Sequence, residues 1–158
     1  MISLIIMASF ENDYKTGKSI EDIVYELLKQ CKTLKKLKKA KSMYCKYDFY
    51  NNDCEIELKT RNNTFHKYPT TLMPVSKAIR DKDHKKTIIF MFKFNEDTED
   101  IKQSIYYIKY DVNEFENIKR IQFKRNPRFG INDKVQEYFE IPTNKLKTFY
   151  DLELFGIN

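Results

Sequence analysis

Asp48, Glu57 and Lys59 are the residues whose types and spacing could do chemistry together. Residues 43–50 are rich in aromatics, and residues 54–61 alternate as Glu55, Ile56, Glu57, Leu58, Lys59. Asn51, Asn52 and Asp53 lie between the two runs, so the pattern predicts a β-hairpin. A two-residue turn at Asn52-Asp53 suits the type I′ preference for Asn and Asp at positive φ. That register sets Tyr50 opposite Glu55 and Asp48 opposite Glu57, with opposed Cβ atoms about 4.5–5.5 Å apart. Lys59 shares the face of Glu57 because side chains alternate, while Ile56 and Leu58 turn to the other face. Two carboxylates so close repel unless a cation sits between them. Mg²⁺ takes one or two carboxylates and keeps waters for a phosphate substrate. A lysine beside it could orient the attacking water or neutralise phosphate charge. Geometry alone favours a solvated hairpin face on which carboxylates and Lys59 pair, and a bulged three-residue loop would part the acids.

Other signals are weaker. Glu55 shares the face of Glu57 but has no lysine two positions on, so Glu57 fits the pattern better. His66 and His84 are the only histidines, far apart and without carboxylate or cysteine at ligand spacing, which disfavours a zinc site. Gly17, Gly130 and Gly156 are isolated, so no phosphate-cradling loop is evident. Lys119, Arg120, Lys124, Arg125 and Arg128 sit among Ile121, Phe123 and Phe129. Such interleaving suits nucleic acid, but a strand with one buried and one wet face has the same pattern and is the favoured reading.

The elements that must position these residues follow from periodicity. Ser19 and Asp22 stand as an N-cap and its third residue, and Ile20, Ile23, Val24, Leu27, Leu28 and Cys31 recur at helical spacing. A helix is expected over 19–39, ending in a lysine run (Lys32 to Lys41) that suits the helix macrodipole or a phosphate. After the hairpin, residues 62–74 read as irregular and 75–80 as a short helix. Residues 87–94 (TIIFMFKF) carry apolar residues that run on without alternation, expected as a strand buried at least in its first half. Further strands are expected over 104–111, 118–124 and 135–141, with a helical turn over 144–152. The order implies an α/β (α+β) fold around a mixed central β-sheet.

Bulk properties set bounds. The 158 residues suit a single domain over 1–158, and the 41% hydrophobic content can fill a core. The net charge of +6 favours polyanion partners without requiring them. Cys31, Cys45 and Cys54 are odd in number and lack a CxxC pair, which fits an intracellular, reducing compartment. The apolar start, residues 1–8, is too short to span a bilayer, so neither secretion nor a membrane partner is expected.

Asp48 followed on the next strand by Glu57-Leu58-Lys59 resembles the Asp … Glu-x-Lys signature of the PD-(D/E)XK nuclease superfamily. The helix-first, hairpin-second order is similar to the αβββαβ core of these restriction-endonuclease-like proteins. Arg61, then Tyr68-Pro69-Thr70-Thr71 and Lys77, look like members encoded by large DNA viruses. The resemblance covers roughly residues 17–94, and Tyr47 stands where the superfamily name has Pro. It implies Mg²⁺-dependent hydrolysis of phosphodiester bonds in DNA, with Mn²⁺ able to substitute and RNA not excluded, in replication, recombination or repair. Asp48, Glu57 and the Leu58 carbonyl would hold the metal, and Glu21, after Gly17, would add a ligand. Lys59 would serve the water, while Arg61, Lys67 and Lys77 would contact phosphates. A homodimer and a place in the cytoplasm, a viral factory or a virion are compatible with it. Two other readings stay open: a nuclease fold without turnover acting as a nucleic-acid-binding or assembly subunit, and a basic structural protein.

Overall fold

The computed structural model describes residues 19–42, 44–124 and 135–157. Helix α1 (Ile20–Lys29) starts where its sequence directs, with the Ser19 hydroxyl accepting the Asp22 amide. It ends at Lys29, ten residues before the expected boundary. Beyond it Cys31, Leu34 and Leu37 are buried at a spacing of three, not the 3.6 of an α-helix. Turns joined by the Cys31-to-Leu28 and Leu34-to-Cys31 amide bonds keep that spacing on one face, and Lys36 adopts φ 55°. The lysine run therefore lies on turns and on strand β1 (Lys38–Lys39), not at a helix C-terminus.

The hairpin pairs β2 (Phe49–Tyr50) with β3 (Cys54–Thr60) in the expected register, Tyr50 opposite Glu55 and Phe49 opposite Ile56. Its turn differs. Neither Asn52 nor Asp53 has positive φ, so the turn is not type I′. The Asn51 side chain instead accepts the Asp53 and Cys54 amides, both at 2.8 Å, closing the turn as a local Asx motif. Its Nδ2 donates to the Lys35 carbonyl, which ties the hairpin to the segment after α1. β2 is also far shorter than residues 43–50, of which Met43 lies outside the described residues.

β3 lies next to β5 (Thr87–Lys93), parallel to it, while β6 (Ile105–Lys109) and β9 (Lys147–Thr148) follow antiparallel. The six-stranded order is β1-β2-β3-β5-β6-β9, a mixed sheet. A second, three-stranded sheet runs β4 (Thr70–Pro74), β8 (Val135–Pro142), β7 (Arg120–Lys124). β4 falls in the stretch expected to be irregular. It is an edge strand whose Met73 is fully buried, formed because distant β8 supplies its backbone partners. A 3₁₀ turn (Val75–Ala78) stands where a short helix was expected. Short α2 (Val112–Phe115) follows β6, and α3 (Phe149–Phe155) ends the described chain behind a Thr148–Asp151 capping box.

Alternation along β3 and β5 explains the layering. Ile56, Leu58, Ile89 and Met91 face a core closed by Val24 and Leu28 of α1 and by Phe149 and Leu152 of α3. Ile88, Phe90 and Phe92 face the other way, against Met73, Phe139 and Ile141 of the small sheet. β5 is apolar on both faces because both are covered, as its unbroken hydrophobic run requires. The result is an α+β structure: α1 and α3 on one face of a mixed central sheet, and on the other the second sheet with short α2, whose Phe115 packs between Phe90 and Phe139. No helix among the described residues is long and apolar enough to cross a membrane.

Candidate active site

Glu55, Glu57 and Lys59 all leave β3 on the face opposite α1. Glu57 is buried, with 4% of its surface exposed. Its Oε1 lies 3.0 Å from the Lys59 ammonium and 3.1 Å from that of Lys77, which sits in the 3₁₀ turn after β4. The Lys77 ammonium also donates to the Lys46 carbonyl, fastening this cation over the start of the hairpin. A buried carboxylate needs such partners, since an unpaired charge there costs several kcal/mol.

Asp48 reaches the same place by leaving the ladder. Continued one step, the β2–β3 register would set it opposite Glu57. Its amide instead donates to the Ile56 carbonyl at 2.9 Å, one residue out of step. The freed Leu58 amide donates to Asp48 Oδ2 at 2.7 Å. Residues in a strand send their N–H and C=O to the same side, so the Leu58 carbonyl also faces the edge where β2 has stopped. Burial raises the Asp48 carboxyl above its ordinary value of 3.8, and the nearby Glu57 charge adds to the rise. The Leu58 amide, Lys59 and Lys77 pull it back only partly.

These donors suit a hard cation of modest coordination demand. Asp48 Oδ1 and Glu57 Oε2 accept no hydrogen bond from the described residues. With the Leu58 carbonyl they make an all-oxygen set. Among the described residues no three His, Cys, Asp or Glu side chains converge as a metal cluster. A cation here would therefore complete its shell with water, as Mg²⁺ does, and would lack the four ligands of structural zinc.

Of the other candidates, Glu21, Arg61 and Lys67 contact neither Asp48 nor Glu57 among the described residues. Glu21 sits on α1, on the opposite side of the sheet from Glu57, and its carboxylate is 3.4 Å from the Lys39 ammonium. Arg61 continues the motif's face, and its Nε donates to Thr71 Oγ1 at 3.1 Å while Nη2 donates to the Leu72 carbonyl. It stacks over Phe92 at 5.5 Å, and burial lowers its pKa. Arg61 thus bridges the two sheets. Lys67 is exposed, 5.4 Å from the Tyr68 ring centroid. Lys77, nominated for phosphate, meets Glu57 directly.

Sequence reading missed a second polar cluster. Glu55, also buried, is held by Arg80 Nε at 3.0 Å, with His84 Nδ1 at 3.9 Å. His84 Nε2 is enclosed and has no hydrogen-bond partner among the described residues. Alternation places Glu55 on the site's face, but nothing local in the sequence marks Arg80 or His84 as its partners. Arg125, Arg128 and Phe129 of the basic–aromatic stretch lie outside the described residues. Within β7 only Ile121 is half-buried, and Phe123 is 40% exposed, so the strand lacks the clean buried face expected of it.

No family model, curated protein or solved structure matches this chain.

Proposed function

We propose that this chain is a metal-dependent nuclease with a PD-(D/E)XK-type site, hydrolysing phosphodiester bonds in DNA. The observation that carries this reading is the junction at the end of β2. Asp48 caps the Leu58 amide there, beside Glu57 and Lys59, and two carboxylate oxygens and a backbone carbonyl are left for a cation. The order of α1, antiparallel β2–β3 and a parallel neighbour β5 supports a restriction-endonuclease-like core. The crossover from β3 to β5 departs from an αβββαβ pattern, because it is built from β4 and a 3₁₀ turn without an α-helix.

Asp48, Glu57 and the Leu58 carbonyl would hold Mg²⁺ or Mn²⁺. When bound, the ion would polarise the scissile phosphate and acidify a water. Lys59, fixed against Glu57, would orient that water or stabilise developing charge on the phosphate. The test is cleavage of labelled DNA and RNA with Mg²⁺ or Mn²⁺. Asp48→Ala and Lys59→Ala should each abolish cutting while leaving the fold intact. Unchanged cutting by either variant, or no cutting by the parent with either ion, would overturn the reading.

One observation favours a nucleic-acid-binding subunit without turnover. Lys77 places a second ammonium on Glu57, so the buried carboxylate is already neutralised without a divalent ion. Under that reading nucleic acid binds and is not cut.

A further inference from the structure

Beside Lys59 the two sheets part to leave a cleft of about 200 Å³, lined by Lys59, Arg61, Leu72, Pro74, Phe123 and Tyr138. It is smaller than the ~300–1,000 Å³ typical of drug-sized ligands, and fits one planar ring system. Its lining pairs apolar and aromatic walls with two cations and contains no carboxylate. Phe123 stacks on Tyr138 with ring centroids 4.5 Å apart and planes 6° from parallel. The stack holds one face of Phe123, yet 40% of the residue stays exposed. A large apolar ring held rigidly and left open on β7, beside the exposed Lys124, suits a ligand with both a π-face and negative charge.

Resting on the nuclease reading, we propose that this cleft takes an unpaired nucleobase next to the scissile phosphate, making single-stranded nucleic acid the substrate class. A base within a duplex is stacked on both faces and cannot enter a recess between two sheets, whereas an unpaired base can stack on Phe123. Lys59 lines the cleft and also contacts Glu57, so a nucleotide seated there carries its phosphate toward the Asp48–Glu57 pair.

The experiment compares binding of a short fluorescein-labelled oligothymidylate with that of a blunt hairpin duplex, by anisotropy in EDTA so that nothing is cut. The parent should bind the single strand more tightly. Phe123→Leu, which keeps apolar bulk without the π-face, should weaken that binding on the order of tenfold. Phe123→Trp should retain it, which separates stacking from any effect on the fold. Equal or tighter duplex binding, or parent-like binding by Phe123→Leu, would overturn the proposal. A separate Mg²⁺ cleavage assay distinguishes the two failures. Cutting with no dependence on Phe123 removes the cleft and keeps the nuclease, while Phe123-dependent strand binding without cutting does the reverse.

Discussion

Asp48 has two roles that pull apart with pH. Its carboxylate closes the hairpin's frayed end by accepting the Leu58 amide, yet burial and Glu57 make the charged form costly. Its folded-state pKa lies above 3.8, so the stability it contributes is present below 3.8 and is lost as pH rises through the folded value. Asp48→Asn keeps an acceptor for the amide and removes the charge. It should match or exceed the parent's thermal stability at neutral pH, and the difference should vanish in acid. Added Mg²⁺ should raise the parent's melting temperature at neutral pH and leave that of Asp48→Asn unmoved. Thermal unfolding across a pH series, with and without the ion, checks both. Cysteine reactivity is a second residue-scale expectation. Burial pushes the Cys31 and Cys54 thiols up to about 11, so iodoacetamide at neutral pH should label partly exposed Cys45 first, as peptide mass mapping would show.

At the scale of elements, the hairpin depends on Asn51 more than on its turn residues. The buried Asn51 side chain accepts two amides and donates to Lys35, and no positive φ at Asn52 or Asp53 shares the work. Asn51→Leu should cost about 2–4 kcal/mol in urea unfolding, since three hydrogen bonds go and their backbone partners stay enclosed. Asn52→Ala should cost only a few tenths, because that side chain is exposed. The same logic bears on the site, because β2 and β3 carry Asp48 and Glu57 only while this turn holds their register.

At the scale of the molecule, the small sheet is held to the large one by aromatic packing. Phe139 lies edge-on to Phe115 at 5.1 Å and near Phe90 at 6.5 Å, all three fully buried. Phe139→Ala should destabilise the protein by about 3–5 kcal/mol in urea titration, the usual cost of removing a buried aromatic. Arg61 joins the same two layers through Thr71 and Leu72. Its truncation to Ala should therefore lower the melting temperature even without nucleic acid, whereas Lys67→Ala, on an exposed side chain, should leave it unchanged.

What the sequence determined by itself is whatever rests on neighbouring covalent geometry. Alternation puts Glu55, Glu57 and Lys59 on one face of β3, the Ser19 cap starts α1, and the unbroken apolar run of β5 requires cover on both sides. The hairpin register was legible too, though through Asn51 and not through the positive-φ turn its residues suggested. The tertiary structure alone decided the rest. Helix α1 stops at Lys29 because buried Cys31, Leu34 and Leu37 are spaced by three, which looks helical until their environment is known. β4 exists because β8, about seventy residues on, pairs with it. Lys77 reaches Glu57, Arg80 and His84 reach Glu55, and Phe123 meets the cleft beside Lys59, each by folding of segments far apart in the chain. Local rules carry a side chain's direction along a strand, but its partner across the interior depends on which distant surfaces bury each other.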